Sequence, residues 1–327
     1  MHAFDYAAPT TVQDALASAG GGADTAFLAG GTTLVDLMKL DVMTPAHVID
    51  INALPLRGVS TGRDGLRIGA LARMDEVAAD PLVLRDFPVI AEALTASASP
   101  QLRNMASIGG NLLQRTRCDY FRDVHTPCNK RQPGSGCPAQ IGQNRTHAIL
   151  GTSAACVATH ASDLAVALVA LDASVRVRGA DGERQVRLAD FYRLPGDTPD
   201  VETVKAPGEL VTEVTVPALP WARQSTYLKV RDRTSYEFAL ASAAVALDVR
   251  GNAIRDARVA VGGVATRPWR LPTVEAALRG RRPLQTSFET AARSAVDGAR
   301  PLAHNAFKTV LVQRTIVRAL LTLADRL

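Results

Sequence analysis

All four cysteines of the chain fall between residues 118 and 156, at a spacing of C-x9-C-x8-C-x18-C. The span RCDYFRDVHTPCNKRQPGSGCPAQ surrounds the first three thiols with Arg, Asp, Asn, Lys, Pro and Gly, which makes a poor apolar core. A Pro/Gly-rich loop of this kind can wrap round a centre, and soft thiolates select zinc or iron-sulfur. The spacing fits neither the short bacterial ferredoxin run nor paired CxxC knuckles. Three readings of Cys118, Cys128, Cys137 and Cys156 therefore stand together: an iron-sulfur cluster, a structural zinc, or buried structural thiols. A disulfide framework is a poor fit, because 327 residues can bury a large core without staples. With little apolar surface of its own, the loop is expected to be held chiefly by its metal centre.

Two glycine stretches flank this region on its N-terminal side. Phe27-Leu28-Ala29-Gly30-Gly31-Thr32-Thr33 reads as strand, turn and helix, with Thr32 as the cap of TTLVDLMKL. Ser107-Ile108-Gly109-Gly110-Asn111 reads as a second tight turn. Backbone amides of such turns bind phosphate without side-chain charge, and together they favour a dinucleotide. Neither matches G-x-G-x-x-G, so the NAD fingerprint is absent. Either alone also fits a plain turn that needs glycine for positive φ.

The order of elements is α+β in three parts. A strand opens the chain, followed by a helix VQDALASA capped by Thr10 or Thr11, then strands at 26–29 and 48–51 that form a small parallel unit ending near residue 57. Beyond it come a strand LRIGAL, helices at 74–79 and 88–97, and a strand-turn-strand over 147–160. Next are a helix LAVALVAL started by Ser162-Asp163, and antiparallel strands at 175–177, 185–186 and 210–216 with a turn at Asp181-Gly182. Pro217, Pro220 and Trp221 mark a boundary. Strands at 226–230, 239–249 and 257–264 and helices near 272–279, 286–297 and 305–325 complete the chain. The expected divisions are 1–57, 58–221 with a loop inserted at about 115–156, and 222–327.

Lys and Arg total 37 against 32 acidic residues, scattered without a basic block or interleaved aromatics, so nucleic-acid binding is excluded as a leading reading. No apolar run is long enough to span a membrane. MHAFDYAAPT has no basic region followed by an apolar core and does not read as a signal peptide. Asp163 reads as a helix cap and Lys229, on TYLKVRDR, as a solvated strand residue, although a cation beside a flavin would stabilise its reduced anion. His125 and His147 flank the cysteines as spare ligands. No Ser-His-Asp or paired-carboxylate constellation is present, which fits a subunit whose cofactors carry the chemistry.

FLAGGTTLVDLMK, SIGGNL, HASD, PGELVTEVTVP, KVRDRTSYEFA and VGGVATRPWR stand in the order found in the FAD-binding medium subunits of molybdenum hydroxylases, the xanthine dehydrogenase and carbon monoxide dehydrogenase family. The chain resembles that family over essentially its whole length. NLLQRTRCDYFRD, PCNKRQPGSGC and SAACVATH narrow the likeness to members carrying FAD and a 4Fe-4S cluster, as in bacterial periplasmic aldehyde oxidoreductase and 4-hydroxybenzoyl-CoA reductase.

The resemblance implies a vanillyl-alcohol-oxidase-type FAD-binding fold, two α+β subdomains, followed by a C-terminal domain of antiparallel sheet and helices. It implies that Ala26, Phe27, Leu28, Ala29, Gly30, Gly31, Thr32, Thr33 and Leu34 wrap the pyrophosphate. Ser107, Gly109, Gly110 and Asn111 would complete the phosphate and ribityl contacts. Asp163, Val211 and Lys229 would touch the flavin nucleotide, and Cys118, Cys128, Cys137 and Cys156 would hold the cluster. Ser107 departs from the commoner Thr but keeps the hydroxyl. The implied setting is a heterotrimer with a small 2Fe-2S subunit and a large molybdenum-cofactor subunit. Electrons from an aldehyde would pass through FAD to an external acceptor, in the periplasm by co-export with a signal-bearing partner or in the cytoplasm. A self-contained FAD oxidoreductase and a zinc-stapled, non-redox binding module are the other readings.

Overall fold

The computed structural model describes residues 1–326. Three sheets organise it. The first is wholly parallel, in the order β1-β3-β2, from Asp5–Ala7 (β1), Thr25–Leu28 (β2) and His47–Asp50 (β3). The connecting helix Val12–Ala19 starts where Thr11 Oγ1 accepts from the Asp14 amide at 3.1 Å and stops at Gly20 in the left-handed region. Its buried Ala15 and Ala19 pack with Ile49, Ile51 and Leu54.

The second sheet is antiparallel, ordered β4-β5-β8-β6-β7. Its strands are Val59–Gly62 (β4), Gly65–Gly69 (β5), Ser174–Gly179 (β6), Gly182–Arg187 (β7) and Leu210–Pro217 (β8). A hairpin joins β6 and β7 as expected, but its two turn residues are Ala180 and Asp181, one position earlier than the Asp181-Gly182 reading, and Gly182 already pairs with Gly179. Strand β4, which the sequence reading omitted, forms a hairpin with β5. Strand β7, GERQVR, lies at the edge and is largely exposed, and its charges discourage pairing with another chain. Central β5, β6 and β8 bury Leu66, Ile68, Val175, Val177, Val214 and Val216. Against them lies the helix Asp163–Ala170, buried along its whole length. Its uniformly apolar sequence matches a position between layers rather than at the surface.

The third sheet, β12-β11-β10-β9, is antiparallel and comes from Ser225–Val230 (β9), Ala241–Arg250 (β10), Ala253–Gly262 (β11) and Trp269–Arg270 (β12). The helices Pro272–Leu278, Gln285–Ala292 and Phe307–Ala324 cover it.

Four local expectations change. The stretch Ile108–Leu112 is a short helix capped by Ser107 rather than a turn, and neither Gly109 nor Gly110 has positive φ. Gly109 is needed for space, because a Cβ there would lie 3.0 Å from Ala70 Cβ. Residues 147–160 form no strands. Their only ladder contact is a parallel bridge from Leu150 to Ala265, and they wrap along the third sheet instead. The cap of the helix Leu34–Lys39 is Thr33, one residue beyond Thr32, and its side chain makes no capping bond. The cysteine loop has a framework of its own: Asn129 and Gly136 bond backbone to backbone at 2.8 Å, and Arg131 donates to the carbonyls of Tyr120, Phe121 and Thr126.

Candidate functional site

A cleft enclosing about 2040 Å³, open solvent included, runs between the first sheet, the helices that precede the cysteine loop and the third sheet. Thr32, Thr33, Gly110, Asn111, Asp163 and Lys229 all line it. Four stretches far apart in sequence are thus brought to one surface.

The first glycine turn reaches this surface by backbone. Ala26, Phe27 and Leu28 belong to β2, and Ala29 through Thr32 turn the chain into the helix that begins at Leu34. The N–H groups of Gly30, Gly31, Thr32 and Thr33 donate to no acceptor among the described residues. Such a run of free amides is what an anion-binding turn requires. Gly31 has φ +72, which the turn needs, and Gly30 abuts the chain just before the second glycine segment, since a Cβ there would lie 1.9 Å from Met105 O.

Two residues that the sequence did not single out hold the two segments together. Asn52 Nδ2 donates to Ala29 O at 2.8 Å, and Asn52 Oδ1 accepts from Arg73 Nη2 at 2.7 Å. Arg73 also donates to the Met105 carbonyl, and its backbone bridges Ser107. Neither carries a spacing signal, because each is a single polar residue beside an element end. In the second segment Ser107 Oγ accepts from the Gly110 amide at 3.2 Å, and Ser162 Oγ donates to Asn111 Oδ1 at 2.6 Å.

Deep in the cleft wall Asp163 and Lys229 form a buried pair, with Nζ 2.7 Å from Oδ2 and the side chains 7% and 3% exposed. Lys229 is therefore not the solvated strand residue that its context suggests. Lys229 Nζ also donates to Ala96 O at 3.1 Å, and the Tyr227 hydroxyl donates to Asp163 Oδ1 at 2.6 Å. Burial, with the Asp163 carboxylate beside it, raises Tyr227 well above its ordinary pKa, so it stays protonated as a donor. Ser162, rather than Asp163, is the helix cap. Val211 lies elsewhere: it pairs with Val177 between β8 and β6 and packs into the core.

The four cysteines converge. Cys118, Cys128, Cys137 and Cys156 line a single small pocket with His147, Phe121 and Ala139. Burial pushes the Cys118 thiol up to about 12, and burial also raises Cys137 and Cys156. Backbone N–H groups oppose this. Those of Phe121 and Tyr120 face Cys118, those of Val157, Ala139 and Gln140 face Cys137, and the Ala158 amide donates to Cys156 Sγ at 3.5 Å. Amides aimed at sulfur favour the thiolate form. Among the described residues no three His, Cys, Asp or Glu side chains are arranged round a single metal-ion position. His125 is exposed and lies outside the pocket lining.

The cleft and the thiol pocket share a wall, because Cys118 and His147 line both. Asp36 ties the loop to the helix after the first glycine turn. It accepts from Arg117 Nη1 at 3.0 Å and from Arg122 Nη2 at 2.9 Å. Arg145 bonds Asp232 through both terminal guanidinium nitrogens, at 2.6 and 2.9 Å, at the start of the segment that lines the cleft through Arg233 and Tyr236 to Leu240.

Comparison with known proteins agrees with this geometry. The profile of the family described as "FAD binding domain in molybdopterin dehydrogenase" matches residues 2–219, and that of "CO dehydrogenase flavoprotein C-terminal domain" matches residues 225–323. The chain is 48% identical over 322 residues to the aldehyde oxidoreductase FAD-binding subunit PaoB of Escherichia coli K12, covering 98% of each. It is 32% identical over 280 residues to the glyceraldehyde dehydrogenase medium chain of Sulfolobus acidocaldarius, covering 85% of this chain and 82% of that one. Carbon monoxide dehydrogenase from Hydrogenophaga pseudoflava superposes with a TM-score of 0.77 at 27% identity, covering 99% and 98% of the two chains. With its fold, its cleft and these relatives in agreement, the chain belongs to the FAD-binding medium subunits of the molybdenum hydroxylase family.

Proposed function

We propose that this chain is the electron-transfer flavoprotein subunit of a heterotrimeric, molybdenum-containing aldehyde oxidoreductase, and that it carries a 4Fe-4S cluster beside its FAD. The substrate would be oxidised on a large molybdenum-cofactor subunit, with a small 2Fe-2S subunit between it and this chain and an external acceptor beyond. The aldehyde assignment follows from the names of the relatives. The observation that carries the electron-transfer reading is the shared wall, which sets a pocket of four thiols directly against the cleft.

FAD, when bound, supplies the exchange between single-electron and two-electron transfer. The residues fit it. The free amides of Gly30 to Thr33 can receive the pyrophosphate, and Arg73 with Asn52 keeps that turn against the Ser107 segment. Asp163 neutralises Lys229 within the wall, so the ammonium acts as an oriented donor rather than a free charge. We place Ala26 to Leu34, Ser107 and Gly109 to Asn111 round the phosphates and ribityl chain, and assign Val211 a supporting part from the core.

The thiol pocket fits a cluster in donor type and number. A polynuclear centre holds its thiolates further apart than a single ion does, and the aimed amides answer their charge. The chain divides at 1–57, 58–221 and 222–327, with one sheet in each part. Complexes bearing an export signal on a partner would be periplasmic, and others cytoplasmic. No helix among the described residues is long and apolar enough to cross a membrane.

Co-expression with its neighbouring genes tests the reading. The chain should purify in a complex that oxidises aldehydes, with FAD and about four irons on this subunit beyond those of the small one. A chain that stays alone and oxidises aldehydes by itself would refute it.

A further inference from the structure

His147 Nε2 lies 3.1 Å from Cys118 Sγ, in the wall that the thiol pocket shares with the cleft. We propose that His147 is a positioning residue for the cluster: it donates a hydrogen bond to the Cys118 thiolate and thereby raises the reduction potential of the centre. This rests on the cluster reading given above.

Iron on Cys118 would fix the polarity of the bond. A sulfur bound to iron carries no proton, so the hydrogen between the two atoms must belong to Nε2. The neutral ring then leaves Nδ1 as a bare acceptor, and Nδ1 is buried without a partner among the described residues. A ring held only for packing would have no reason to leave that nitrogen unanswered while placing the other on a sulfur.

The ring is also held in place from behind. The His147 amide donates to Asn144 O at 3.0 Å, and Asn305 Nδ2 reaches His147 O at 3.3 Å. Asn144 and Asn305 are both fully buried, and Asn144 Oδ1 accepts from the His304 amide at 2.9 Å. The C-terminal domain therefore presses His147 onto the cysteine loop.

A hydrogen bond to a ligand sulfur withdraws electron density and favours the reduced cluster, which carries one more negative charge. Cys118 is the one thiol that also lines the cleft, so the bond acts on the sulfur that faces the proposed flavin site.

The test is a redox titration, followed by EPR, of the intact complex with wild-type chain, His147→Leu and His147→Gln. Iron and FAD are quantified in each. His147→Leu should keep its iron and titrate at a lower potential. The expected change is about tenfold in the one-electron equilibrium, equivalent to about 59 mV. His147→Gln keeps an N–H donor and should fall nearer to wild type. An unchanged potential in an iron-replete His147→Leu overturns the proposal and leaves the cluster reading standing. Absence of iron from the wild-type subunit overturns both. Should His147→Leu fail to assemble, pulsed EPR on reduced wild type labelled with 15N-histidine decides the matter. A histidine nitrogen coupled to the cluster supports the bond, and no coupling overturns it.

Discussion

Gly30 and Met105 meet backbone to backbone, and the Met105 carbonyl oxygen occupies the place where a side chain on Gly30 would begin. This contact joins the two glycine segments of the cleft, one from the parallel sheet and one from the helical layer that precedes the cysteine loop. Gly30→Ala should therefore lower both flavin content and the unfolding temperature, because 1.9 Å from Cβ to oxygen cannot be relieved by a rotamer change. Gly31→Ala is different: it forces φ +72 on a residue with a Cβ and crowds Val35, at a strain of about 1–2 kcal/mol. It should fold and bind FAD more weakly. Flavin absorbance per chain, read beside thermal unfolding, separates the two, and wild-type behaviour of Gly30→Ala would contradict the contact.

Lys229 and Asp163 should be strongly coupled. Lys229→Met leaves a carboxylate buried without its cation, at a cost of about 3–5 kcal/mol, and Asp163→Asn leaves an unpaired ammonium. The double variant should lose clearly less than the sum of the two. A double-mutant cycle on unfolding of the flavin-free chain measures this, and simple additivity would show the pair to be independent.

How far could such features be read from the residues alone? The helix Val12–Ala19, the β6-β7 hairpin and the C-terminal helices are local in cause: a Thr11 cap, a tight turn beside Gly182, a periodic apolar face. The helix Ile108–Leu112 was not legible, because two glycines argue against helix until the Ser107 cap and the close approach of Gly109 to Ala70 are known. Lys229 was misread for a similar reason. Its partner Asp163 lies 66 residues away, and nothing on its own strand announces it. Arg73 and Asn52 act through single long-range bonds that leave no periodic trace.

Cys128→Ser should remove most of the iron, since a hydroxyl is a far poorer ligand for iron than a thiolate. The free amides of the Gly30 turn are separate from the thiol pocket, so FAD should largely remain. Arg131 and the Asn129–Gly136 pairing should preserve much of the loop, with new protease cuts confined to its exposed 132–134 tip. Iron analysis and limited proteolysis check both parts. Full iron retention would remove Cys128 from the ligand set.

Lys308 gives a pH dependence. It is fully buried, donates to Thr146 O at 2.9 Å and Gly263 O at 2.6 Å, and faces the Arg145–Asp232 pair. Burial, with Arg145 adding to it and Asp232 opposing, pushes its pKa down from 10.5 to about 7. Between those values the unfolded chain binds the proton and the folded chain does not, so this residue makes stability rise as pH increases from about 7 towards 10. Below that window both states are protonated and the penalty is constant. Lys308→Met should flatten this rise, as followed by unfolding midpoints across the window. An identical slope in the variant would show that Lys308 titrates normally.

The pairing of β5 with β8 has a consequence for synthesis. Strand β5 ends at Gly69 and β8 begins at Leu210, and β8 also separates β5 from β6 in the sheet. The middle sheet therefore cannot close until Leu210–Pro217 has left the ribosome, and such distant pairings form slowly. Every cysteine has by then emerged, and β9, which carries Lys229, follows only afterwards. The nascent chain thus displays its thiols before it can build the cleft beside them, so the proposed cluster would find its four ligands exposed while translation is still under way.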